Sequence, residues 1–169
     1  SFNDNNINSA DGTTGPSYGI DARTSPGISL NNNTIVADNH GIYVDISPNA
    51  TITNNHITGR IYWNGIHFVS SDSSLVQNNH VERTISNSYT SGWQYLVNGD
   101  NSEGSIISGN SLIAPNVGQN YNFANMALRC EWSIVDSNYI EFYFRRYGDH
   151  YAIHDDKNSD ISFNNFVIG

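Results

Sequence analysis

Two consecutive stretches decide the fold. The first runs Tyr18-Gly19-Ile20-Asp21-Ala22 and then, after a Gly/Ser/Pro spacer, Leu30-Asn31-Asn32-Asn33-Thr34-Ile35. The second repeats it as His40-Gly41-Ile42-Tyr43-Val44 and Ile52-Thr53-Asn54-Asn55-His56-Ile57. In both, an Asn stands thirteen residues after the Ile of a Gly-Ile pair, and it does so again from Asn64-Gly65-Ile66 to Asn79. The alternation of apolar and polar residues around each Gly-Ile is the signature of a half-buried strand.

Working outward, the kernel apolar-x-x-Asn-x-apolar recurs along the whole chain. It reads Phe2-Asn5-Ile7, Leu30-Asn33-Ile35, Ile52-Asn55-Ile57, Val76-Asn79-Val81, Ile107-Asn110-Leu112, Val135-Asn138-Ile140 and Ile161-Asn164-Phe166. Successive Asn residues are 28, 22, 24, 31, 28 and 26 residues apart. A period of this size marks a repeat architecture. No segment carries apolar residues at three- and four-residue steps over three turns, and helix formers are scarce. The repeated Leu pattern of leucine-rich repeats is missing. The expectation is therefore all-β: a right-handed, single-stranded parallel β-helix of about seven rungs. One domain spans 1–169, with insertions near 84–92, 114–125 and 142–150. Each rung holds two or three short strands joined by Gly, Asn, Ser and Asp turns. The Asn column is structural on this reading. Asn tolerates the left-handed bend, and stacked amides can bond from rung to rung. Ser1–Ile7 reads as the middle of a repeat, so the chain is expected to continue beyond both ends.

Composition narrows the function classes. Seven Lys+Arg stand against 16 Asp+Glu, for a formal charge of −9, and Lys157 is the sole Lys. Phosphate contacts need clustered cations, so nucleic acid is not expected as a partner. No apolar run reaches the roughly 18 residues of a membrane span. Cys130 is the single cysteine and reads as a small inward apolar residue. The sequons at Asn32 and Asn49 carry little weight in a chain so rich in Asn and Thr.

The rung kernels resemble those of the pectate-lyase-like family of right-handed parallel β-helices, over nearly the whole length. That resemblance implies a carbohydrate-active protein that binds and cleaves a microbial polysaccharide, expected to be acidic, as phage tailspike depolymerases do. It further implies an extracellular or virion-associated homotrimer. A secreted bacterial lyase, glycosidase or transferase is the alternative within the family. A non-catalytic receptor-binding or structural β-helix is the alternative outside it. The polygalacturonase Asn-Thr-Asp and Gly-His-Gly motifs and the epimerase Asp-Pro-His motif are absent. No cofactor and no metal site is expected.

Candidate site residues follow from the Gly-Ile strands. If Ile20, Ile42 and Ile66 point inward, the outward column reads Asp21, Tyr43, His67, Arg129 and His154. Two residues on, it reads Arg23, Asp45, Val69, Glu131 and Asp156. Rungs lie about 4.8 Å apart. Glu131 and Asp156 on adjacent rungs would then sit about 5 Å apart, as in a retaining glycosidase. Arg129 beside His154 or Tyr43 could serve a lyase. The catalytic candidates are thus Glu131, Asp156, His154, Arg129, His67 and Asp45. On the plainer reading, Arg129–Glu131 and Arg23–Asp45 are surface ion pairs. Tyr43, Trp63, Trp93, Tyr95, Tyr143, Arg145 and Arg146 are the candidate substrate-binding residues, the last three in an aromatic and basic insertion. His56 and His80 follow ladder Asn residues and read as turn-face residues. His40, at a strand entry, fits either role, and Trp132 is expected to pack at a corner.

Overall fold

The computed structural model describes residues 1–10, 17–84, 94–114, 125–142, 150–161 and 164–168. Among them there is no helix, and the strands form three parallel sheets that wind into a β-solenoid. Sheet A holds Phe2–Asn3, Ser29–Asn31, Thr51–Thr53, Leu75–Gln77, Ile106–Ser108, Ile134–Asp136 and Asp160–Ile161. Sheet B holds Asn6–Ser9, Thr34–Ala37, His56–Gly59, His80–Arg83, Ser111–Ala114, Tyr139–Phe142 and Phe166–Ile168. Sheet C holds Tyr18–Arg23, His40–Asp45, Asn64–Val69, Gln94–Asp100, Asn125–Glu131 and His150–Lys157. Each full repeat thus contributes one strand to each sheet. The predicted insertions fall mainly outside the described residues.

The kernel residues do what their alternation demands. Leu30, Ile52, Val76, Ile107 and Val135 form a fully buried row from sheet A, and Ile35, Ile57, Val81, Leu112 and Ile140 form one from sheet B. Ile20, Ile42, Ile66, Val97 and Leu128 complete the core from sheet C. Burying apolar rows from three sides stabilises the coil by about 25 cal/mol per Å² removed from water. The glycine of the Gly-Ile pair is required by close approach. A Cβ on Gly41 would lie 2.4 Å from Ile57 Cγ2 and 2.5 Å from the Gly65 carbonyl oxygen.

The Asn ladder runs through Asn5, Asn33, Asn55, Asn79, Asn110, Asn138 and Asn165. Each Nδ2 donates to the Oδ1 of the next at 2.9–3.0 Å, and each backbone N–H donates to that same Oδ1 at 3.0–3.1 Å. From Asn33 onward, Nδ2 also donates to a sheet A carbonyl one rung back, such as Ile52 for Asn79. Two expectations are corrected here. The last rung uses Asn165, not Asn164, and Val167 rather than Phe166 pairs with Ile140, because that rung holds one extra residue between the Ile161 and Asn165 positions. Asn164 instead donates to Asp136. Nor do the ladder residues take the left-handed bend. The residues before them do: Asp4, Asn32, Asn54, Asn78, Gly109 and Ser137, at φ 55° to 64°. The amides of Asn33, Asn55, Asn79, Asn110 and Asn138 are buried.

A second ladder marks the corner after sheet C. Backbone N–H groups of Ser25, Ser47 and Ser71 donate to the hydroxyls of Ser47, Ser71 and Ser102, and Ser133 N–H donates to Ser159. The hydroxyls of Ser47, Ser71, Ser102 and Ser133 each donate to the carbonyl two residues back. The residue before each is left-handed: Thr24, Ile46, Ser70, Asn101, Trp132 and Asn158, at φ 44° to 51°.

Candidate functional site

Sheet C carries the chemistry on its outer face because its inner face is committed to the core. Its register gives one outward column as Asp21, Tyr43, His67, Asn98, Arg129 and His154. The next begins Arg23, Asp45, Val69 and Asp100. A register shift between Cys130 and Glu131 then sets Glu131 opposite Lys157. Asp156 is therefore not the partner of Glu131 across the pair, as the column spacing had suggested.

The first half of the face is a strip of rings. Tyr18 stacks on His40 with centroids 4.9 Å apart, and His40 stacks on His67 at 6.0 Å. Tyr43 meets Tyr18 at 5.2 Å and the edge of His67 at 5.3 Å. The Arg23 guanidinium lies over both tyrosines and pairs with Asp21 at 2.8 Å, not with Asp45. Burial pushes His40 down to about 4, helped by the neighbouring His67, and burial likewise pushes His67 down to about 4. Both rings are neutral at pH 7. Nδ1 of His67 lies 3.3 Å from the Asn64 amide nitrogen and accepts from it, which leaves the proton on Nε2. That Nε2 is buried without a partner.

The second half is an ionic hub on Arg129. Its Nη1 lies 3.0 Å from Asp100 and its Nη2 3.1 Å from Glu131, while Nε bonds Asp156. Nη1 also reaches the Asn98 side-chain Oδ1 at 3.4 Å. Burial alone would lower the Arg129 pKa, but the bond to Asp156 and the charges of Asp100 and Asp156 outweigh it and raise it. Glu131 is only 3% exposed and also takes Lys157 at 3.0 Å. His154 Nδ1 lies 3.3 Å from Asp156. Tyr95 is buried with its ring 6.0 Å from the Arg129 Cζ, so it supports the hub from beneath rather than facing solvent.

The structure thus brings Tyr43 and His67 into the strip, and Arg129, Glu131, Asp156 and His154 into the hub. Asp45 lies on the same face beside Tyr43 and Arg23. Trp63 stands 36% exposed at the entry to its strand. Trp93, Tyr143, Arg145 and Arg146 lie outside the described residues. Trp132 stands at a corner, 45% exposed and left-handed. Cys130 is fully buried, and burial raises its thiol to about 11, so it is no nucleophile at neutral pH. His56 and His80 stack on each other at 4.7 Å on sheet B, away from this face.

Sequence reasoning missed Asn98 and Asp100. Leu96 occupies the register of Gly19, Gly41 and Gly65, so the fourth rung lacks the Gly-Ile marker that aligns the others. The Val97-Asn98 pair, apolar then polar, was the available signal. Comparison with protein-family models, curated proteins and solved structures gives no match.

Proposed function

We propose that the chain is a right-handed, seven-rung β-helix of the pectate-lyase-like kind whose outer sheet C face binds an extended glycan. The hand follows from the strong preference of parallel crossovers for right-handed connection. Seven strands in each of sheets A and B support the rung count. The observation that carries the reading is the continuous strip Tyr18–His40–Tyr43–His67 running into the Asn98, Asp100, Arg129 and Asp156 hub. Aromatic faces offer apolar area at low entropy cost, and the adjoining polar groups offer directed hydrogen bonds for hydroxyls. Neutral histidines suit this role because each presents a flat, uncharged ring beside the tyrosines.

Recognition fits this geometry better than cleavage. A glycosidase needs two carboxyl groups that reach the sugar. Glu131 is buried and bound on both sides by Arg129 and Lys157. A base would need a lone pair facing substrate, and that of His67 faces Asn64. An extracellular or virion setting and a homotrimer belong to the same proposal. The exposed row Ile106–Ile134 on sheet A is a surface that a second copy would cover.

The test is glycan-array binding with wild type, Tyr43→Ala and Thr58→Ala, the last on sheet B as a control. Loss of binding in Tyr43→Ala alone supports the reading. Binding that ignores Tyr43, or no binding to any glycan, refutes it.

A further inference from the structure

We propose that the sheet C face selects neutral glycans and turns away uronate-bearing ones; this rests on the glycan-binding reading above. Recognition of a sugar carboxylate is favoured by a cation whose charge no neighbouring acid already offsets. On this face every described cation is already committed to an acid of the same face. Arg23 is on Asp21, Lys157 is on Glu131, and Arg129 is on Asp100, Glu131 and Asp156 together.

Arg129 decides the matter because it is the innermost cation. Its Nε and both terminal nitrogens point at carboxylates, and Nη1 is shared with Asn98. A uronate could take a bidentate grip on it only by displacing Asp100 or Asp156, since Glu131 is buried. The displaced carboxylate would then face the incoming one across a few ångströms. Like charges set opposite each other across an interface repel and weaken the complex.

The wider balance points the same way. Asp21, Asp45, Asp100, Glu131 and Asp156 face Arg23, Arg129 and Lys157, five acids to three cations. A hydroxyl-rich neutral chain meets no such barrier. Asp100 and Asp156 are a third and a quarter exposed, and as ionised acceptors they can take hydroxyl protons while Arg129 holds them in place. Arg129 is on this view a positioning residue that orients two acceptors, not an anchor for anionic sugar.

Matched polymer pairs isolate charge from linkage. Several polyuronates and their carboxyl-reduced, neutral counterparts are immobilised, and retention of the protein is read at about 0.15 M salt. The expected result is a neutral form held on the order of tenfold more tightly than its acidic parent. Asp100→Asn with Asp156→Asn should narrow that gap by freeing Arg129, and the gain on polyuronate should be lost in higher salt. Equal or tighter retention of a polyuronate by wild type, abolished by Arg129→Met, overturns the inference while leaving glycan binding standing. No retention of any member of any pair overturns both.

Discussion

Asn79 offers the sharpest test of what holds the coil together. It is 1% exposed at the centre of the ladder. Its Oδ1 accepts from the Asn55 backbone N–H at 3.0 Å and from Asn55 Nδ2 at 2.9 Å. Its Nδ2 donates to Asn110 Oδ1 at 3.0 Å and to the Ile52 carbonyl at 2.8 Å. In Asn79→Ala, some of these groups keep other partners. Asn55 Nδ2 still has the Leu30 carbonyl, and Asn110 Oδ1 still has the Asn79 N–H. The Asn55 N–H is orphaned, and the Ile52 carbonyl loses a donor. One buried unsatisfied group costs about 1–3 kcal/mol, so with the weakened neighbours the variant should lose about 2–4 kcal/mol. Asn5→Ala is the comparison. Asn5 is half-buried at the first rung, and Asn33 Oδ1, which it serves, still accepts the Asn5 N–H, so its loss should cost less than about 1 kcal/mol. Urea unfolding followed by circular dichroism reads both. Equal losses at the two positions would refute the ladder accounting and reduce Asn79 to a turn residue.

Two further outcomes follow from the corners and rings. His40 and His67 sit near 4 in the folded chain against about 6.5 when unfolded, so the unfolded state takes up protons first as pH falls. Their contribution is complete above pH 6.5 and is lost between 6.5 and 4, by ~3 kcal/mol for the pair after allowing for partial exposure. Urea midpoints measured from pH 7.5 to 5 should fall in wild type and stay flatter in the double variant His40→Asn, His67→Gln; identical slopes would contradict it. Ile46 holds φ 49° while 55% exposed, in a corner column otherwise filled by Thr, Ser, Asn and Trp. Left-handed backbone costs a side chain about 1–2 kcal/mol, least for Asn, so Ile46→Asn should raise the unfolding free energy by about 1 kcal/mol. A destabilised Ile46→Asn would mean the side chain packs after all.

The sequence by itself determined the architecture, because the forces that set it are local and periodic. An inward apolar row needs alternation in every rung, and an amide ladder needs one Asn per rung at a fixed offset from it. Both leave marks at a single chain position, repeated. The Ser ladder leaves the same kind of mark, Ser47, Ser71, Ser102 and Ser133, but Ser is too common in this chain to stand out. The outward column Tyr43, His67, Arg129 and His154 was legible for the same reason, once Ile20, Ile42 and Ile66 fixed which way each strand faces.

Only the tertiary structure decided what these residues do to one another. The seventh ladder position moved from Asn164 to Asn165 through one extra residue, which no alternation rule announces. The shift between Cys130 and Glu131 set Lys157, not Asp156, opposite Glu131, and both Glu131 and Asp156 pair with Arg129. Asp100 joins them from a rung whose marker glycine is replaced by Leu96. In a parallel coil, neighbours on a face are a whole rung apart along the chain. A slip of one residue in any rung therefore changes every partner beside it while leaving the local pattern of each strand intact.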